Sequence, residues 1–237
     1  MGYRRTPFAP EEWYHCFSRG VDKRTVFETP ADFDRFTELL YLSNSTETIE
    51  RGRIQHIPHK EIFAVPRGEP LVAVAAYCLM SNHPHLLLME KRAGGITKFL
   101  HKVFTGYTMY FNIKRQRVGN LFVTPFRSKH VGKDDYLKHV VQYIHLNPAE
   151  LFERGWKKGV VKDMQALKKK LLGYEYSSAQ DYAHGLNKRP EGALLDVGAI
   201  EFFKDMPSLK QSVRVAHSYY RETAEEFGKR NQIVEAS

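Results

Sequence analysis

The chain has 237 residues, 42% of them hydrophobic and 13% aromatic, so it can bury a core and is not a disordered polyelectrolyte. Its 36 Lys and Arg exceed 27 Asp and Glu by a formal +9, an excess that draws polyanions, nucleic acid foremost. No apolar run reaches the roughly 18 residues of a membrane span, and none follows Arg4-Arg5, so neither a transmembrane helix nor a secretory leader is expected. The two cysteines, Cys16 and Cys78, read as buried free thiols of a cytoplasmic protein.

Residues 13–18 are an aromatic-rich strand that turns at Arg19-Gly20. Beyond Thr29-Pro30, Phe33, Phe36, Leu39 and Leu40 recur at helical spacing, and Asn44-Ser45 closes that helix. Residues 44–70, with Pro58, Pro66, Gly68 and Pro70, read as a long loop holding one short strand at 62–65. The most apolar stretch, 71–80, is followed by a turn at Ser81-Asn82 and a second apolar run over 83–89, which predicts two central strands joined as a hairpin. Gly94-Gly95 opens a helix with Ile96, Phe99, Leu100, Val103, Tyr107, Tyr110 and Phe111 on one side. A basic connection, Lys114-Arg115-Gln116-Arg117, leads through Leu121-Phe122-Val123 to Arg127-Ser128-Lys129-His130. The next helix is capped by Asp134 or Asp135, carries a core stripe of Leu137, Val140, Val141 and Ile144, and stops at Pro148. A basic helix at 164–172, an aromatic stretch at 174–182 and a polar helix from about 209 to 228 complete the chain. This order is that of an α+β fold, an antiparallel sheet covered by helices.

Three groups of residues could carry chemistry. His83 and His85 flank Pro84 at the start of a strand, so their imidazoles share a face and can converge on one metal ion; two polar side chains hydrogen-bonded at a strand end fit the spacing equally. The buried run Leu86-Leu87-Leu88-Met89 favours ligands, because imidazoles entering such a strand need partners. Tyr143 and Asn147 lie one turn apart on one helix face, with His145 on roughly the opposite side. Arg19, Lys23 and Arg24, then Lys114, Arg115 and Arg117, then Arg127 and Lys129 form basic clusters near aromatic side chains, which suits phosphate contact and base stacking. No phosphate-binding glycine loop, nucleophile elbow or C-x-x-C zinc pattern is present.

In this order the segments resemble single-tyrosine transposases of the HUH type, and among them the REP-associated tyrosine transposases. Ala76-Tyr77-Cys78-Leu79-Met80-Ser81-Asn82-His83-Pro84-His85-Leu86-Leu87-Leu88 is similar to their histidine motif, and Tyr143-Ile144-His145-Leu146-Asn147-Pro148 to their tyrosine helix. Tyr14-His15 to Arg19-Gly20, Tyr107 to Asn112, Gly119-Asn120-Leu121-Phe122 and Tyr176-Ser177-Ser178 to Tyr182 agree as well, so the resemblance spans about residues 14–182. It departs at Pro84 between the histidines, at Pro125, and at Ala149-Glu150 after the tyrosine helix, where relatives often carry a small residue and an arginine.

The resemblance implies a ferredoxin-like domain over residues 1–185 with a helical extension over 186–237. It implies an enzyme that nicks and rejoins single-stranded DNA near hairpins through a 5′-phosphotyrosine. Tyr143 would be the nucleophile, and His83, His85 and Asn147 the ligands of Mg²⁺ or Mn²⁺, a donor set that suits those ions better than a thiolate-seeking one. The partner would be single-stranded or hairpin DNA, and the protein would act as a monomer or as a homodimer sharing its tyrosine helix. A non-catalytic relative that binds palindromic repeats is the alternative.

Overall fold

The structure, a computed structural model, describes residues 7–48, 50–132, 134–156, 161–202 and 211–213. Its centre is a four-stranded antiparallel sheet in the order β2-β3-β1-β4, built from β1 (Trp13–Phe17), β2 (Val72–Met80), β3 (His83–Glu90) and β4 (Arg127–Val131). Helix α1 (Pro30–Ser43) joins β1 to β2, together with the single-turn helices α2 (Arg51–Ile54) and α3 (His59–Ile62), and α4 (Gly95–Lys114) joins β3 to β4. This β-α-β-β-α-β path with interleaved strands is the ferredoxin-like arrangement. After β4 come α5 (Asp134–Leu146), α6 (Ala149–Phe152), α7 (Met164–Leu172), α8 (Ala179–His184) and α9 (Val197–Phe202).

Each face of the sheet has its own core. On one, Tyr14, Cys16, Leu86 and Leu88 meet Phe36, Leu40, Phe99, Val103 and Tyr107 of α1 and α4. On the other, Leu87 and Val131 meet Val140, Val141, Tyr143 and Ile144 of α5, with Trp156 and Leu171 beyond. A bulge between Val74 and Ala76 resets the alternation of β2, so Tyr77 and Leu79 join Val72 and Val74 on the α1/α4 side.

Local chemistry sets the helix starts. Thr29 and Asp32 form a capping box at α1, and the buried Asp32 carboxylate also accepts from Tyr110 Oη and Lys114 Nζ at 3.0 and 2.6 Å. Burial alone would raise that carboxyl, but the Lys114 ammonium and the Thr29 and Tyr110 donors outweigh it and hold it below its ordinary value. At α4 the buried Glu90 carboxylate accepts from the backbone N–H of Gly95 and Ile96 at 3.2 and 2.8 Å, satisfying two orphan donors of the first turn. Gly95 is required there, since a Cβ would lie 2.4 Å from the Leu71 carbonyl oxygen.

Three expectations change. The short strand expected at 62–65 is absent: Ile62 ends α3, and Val65 directs its carbonyl to Tyr41 Oη at 3.1 Å. Four apolar residues are too few to separate a strand from a helical turn. Strand β2 is an edge strand and not a central one. It is fully buried because later chain covers its edge, with Leu79 N–H donating to Tyr176 O, Ser178 N–H to Tyr77 O and Asp196 N–H to Val74 O. Strand β4, polar throughout except for Val131, carried no strand signal and forms by pairing with β1.

Leu194 and Leu195 enter the first core and Ala199 the second, so residues 186–199 pack on the sheet. Of the polar helix expected near 209–228, the described residues include only 211–213, which are helical; the rest lies outside the described residues. Both cysteines are free and buried. No helix among the described residues is long and apolar enough to cross a membrane.

Candidate active site

Antiparallel pairing brings the end of β1, the β2–β3 turn, the start of β3 and the start of β4 to one end of the sheet. His83 and His85 are alternate residues of β3, and their rings lie edge to face with centroids 4.7 Å apart. Phe17 of β1 pairs with His85, which places His15 two residues back on the same face. His15 Nε2 lies 2.9 Å from His85 Nδ1, with the rings stacked at 21°. Helix α5 lays Tyr143 edge-on against both, its ring centroid 5.7 Å from His15 and 5.6 Å from His85. The structure thus brings Tyr143, His83 and His85 together, and adds His15.

The cluster is dry. His15 and His85 are buried and Tyr143 is only 2% exposed. Burial, with Lys129 and His83 nearby, lowers the His15 pKa to about 3; burial, His83, His15 and Arg19 push His85 well below its ordinary value. Both rings are therefore neutral at pH 7, each with one N–H and one nitrogen lone pair.

The tautomer of His83 follows from its neighbours. Asn82 Nδ2 donates to the Lys23 carbonyl at 3.3 Å, which turns Oδ1 toward His83 Nδ1 at 2.5 Å. An amide oxygen only accepts, so Nδ1 of His83 is the donor in this contact.

Asn147 follows the last residue of α5, one turn beyond Tyr143. Its Nδ2 donates back to the carbonyls of Tyr143 and Ile144 at 2.9 and 3.4 Å, whereas Oδ1 carries no hydrogen bond among the described residues. His145 faces away from the cluster, as its spacing from Tyr143 predicts: it bonds Ser178 Oγ at 2.8 Å and packs on Tyr182. Among the described residues no three His, Cys, Asp or Glu side chains are arranged to hold a metal ion.

The eight expected basic residues divide. Arg127 and Lys129 of β4 pair with Phe17 and His15, and Lys129 Nζ sits 5.6 Å from the Tyr136 ring centroid. Arg19 acts electrostatically on His85. Lys23 and Arg24 belong to the turn that holds Asn82, and Arg24 pairs with Asp22 at 3.2 Å. Lys114 ends α4, the helix of the opposite face, and Arg115 and Arg117 follow it; the three are engaged there with Asp32, with Glu28 and with Asn112 respectively.

Sequence reasoning did not single out His15 or Asn82 as site residues. The available signal was a histidine inside an aromatic strand, which must find a partner once buried, and an asparagine next to a candidate ligand.

Among solved structures the chain is similar to that of a REP-associated tyrosine transposase bound to a REP hairpin, with a TM-score of 0.49 and 14% identity, over 78% of this chain and 87% of that one. No family model and no curated protein matches the sequence.

Proposed function

We propose that this protein is a metal-dependent DNA strand transferase that cleaves and rejoins single-stranded, hairpin-containing DNA through a 5′-phosphotyrosine intermediate. The observation that carries this reading is the contact of Tyr143 with the imidazole cluster of His85 and His15, from distant parts of the chain. His83, His85 and Asn147 are the proposed ligands of Mg²⁺ or Mn²⁺; what supports them is the chemistry of the donors, two neighbouring imidazoles and an amide oxygen that carries no hydrogen bond among the described residues. The ion, when bound, polarises the scissile phosphate and offsets the charge that develops on it.

Tyr143 Oη attacks phosphorus in line and forms the phosphotyrosine bond while the bond to the 3′-oxygen breaks; the proton that the phenol loses is balanced by one that the departing 3′-oxygen takes up from solvent to become a hydroxyl. A 3′-hydroxyl that attacks the same phosphorus reverses these changes, so resealing needs no ATP. Because Tyr143 is 2% exposed, the scissile strand reaches it only after local opening around the end of α5. Arg19, Arg127 and Lys129, at the end of the sheet that carries the histidines, are the proposed contacts to backbone phosphates, with Lys23 and Arg24. Lys114, Arg115 and Arg117 would have to leave Asp32, Glu28 and Asn112 to take part.

The test is incubation of the full chain with a labelled hairpin oligonucleotide and Mn²⁺, followed by denaturing electrophoresis. A protein–DNA adduct lost in Tyr143→Phe and in His83→Ala is the expected outcome. Tight binding of the hairpin without adduct means a non-catalytic DNA-binding protein, and cleavage that survives Tyr143→Phe means that another nucleophile acts.

A further inference from the structure

The 2.9 Å contact between His15 Nε2 and His85 Nδ1 is a hydrogen bond, so one nitrogen donates and the other accepts. The direction decides what His85 can do. If His15 donates, the His85 proton sits on Nε2 and that nitrogen cannot ligate a cation. If His85 donates, Nε2 keeps its lone pair. Two residues earlier on the same face, the amide oxygen of Asn82, held by its own bond to the Lys23 carbonyl, already forces the Nδ1–H form on His83.

We propose that His15 is a positioning residue that plays for His85 the part Asn82 plays for His83: its Nε2 accepts the Nδ1–H of His85 and leaves the Nε2 lone pair for the cation. The inference rests on the proposed function, which requires a lone pair on His85 Nε2. Two neighbouring rings, each fastened through Nδ1 to its own acceptor, present the same nitrogen on the same face. In this arrangement His15 is not a ligand, because its Nε2 is engaged by His85. It acts through His85, and its buried, stacked ring also fixes the plane in which His85 lies.

Nitrogen-15 NMR of the metal-free wild-type protein at neutral pH reads the tautomer directly, needs no variant and does not depend on DNA chemistry. A protonated Nδ1 and an unprotonated Nε2 on His85 are expected; a protonated Nε2 overturns the proposal. Mn²⁺ titration followed by electron paramagnetic resonance gives the second readout. His15→Phe keeps a ring but no acceptor and is expected to weaken Mn²⁺ binding about 10- to 100-fold. His15→Gln places an amide oxygen near the lost Nε2 and is expected to restore binding to within a few-fold. Equal affinity in both variants and the wild type refutes a positioning role. A loss in His15→Gln as large as in His85→Ala makes His15 a ligand instead and also overturns the proposal. If the wild type binds no Mn²⁺ at all, the functional reading falls, while the NMR result still decides the tautomer.

Discussion

The two faces of one sheet have been given different work. Facing α1 and α4, the strands contribute Tyr14, Cys16, Leu86 and Leu88, and the helices answer with Phe36, Phe99, Leu100 and Val103, nearly all apolar and fully buried. Polar groups on that side are tied off: Tyr107 Oη donates to the Val26 carbonyl, and Asp32 is satisfied by its cap and by Lys114. Facing α5, the same strands bury His15 and His85 within ring contact of Tyr143. Burying imidazoles costs free energy that hydrogen bonding only partly returns. Both faces carry an apolar core, but only the α5 face buries imidazoles beside a tyrosine, so if the proposed function holds, substitutions of those rings should separate chemistry from folding.

Tyr143→Phe should break that comparison most visibly. The buried ring is kept, so thermal stability should change little, while hairpin adduct formation should fall by about 10³-fold or more. Phe36→Ala tests the other face: the cavity it leaves beside α4 should cost about 3–5 kcal/mol in chemical denaturation, with adduct formation per folded molecule unchanged. Tyr107→Phe removes only the buried bond to Val26 and should cost about 1–2 kcal/mol by the same measurement, again without effect on DNA chemistry.

The smallest effect concerns pH. Hydrogen bonds to Glu191 and Glu38 raise the His59 pKa to about 9, against its burial and with help from Asp34. A folded-state pKa above the unfolded value near 6.5 means the folded protein holds the extra proton. That stabilisation is complete below about pH 6.5 and is lost as the pH rises through about 9. His59→Ala should therefore destabilise by roughly 1 kcal/mol at pH 6 and by almost nothing near pH 10. A constant difference between variant and wild type across that range would place the contribution in packing.

The helices α1, α4 and α5 and the β2–β3 hairpin were legible because apolar residues recur at helical spacing or run unbroken between turn residues. Strand β4 was not, since Arg127, Ser128, Lys129 and His130 have no strand pattern; a strand paired on one edge is defined by its neighbour more than by its own residues. The position of β2 at the edge was equally hidden, because the covering segment at residues 174–196 makes it as apolar as an interior strand.

The same division runs through the site. Tyr143, His83 and His85 stand out by residue type and by their spacing within one strand or helix, and local geometry alone puts the two histidines on a common face. What no local pattern contains is the pairing of Phe17 with His85, which carries His15 to within 2.9 Å of its partner, or the opposite-face placement of Lys114, Arg115 and Arg117. Periodicity and residue type are properties of a single segment, whereas hydrogen-bond partners, burial and the resulting tautomers exist only once distant segments share a sheet.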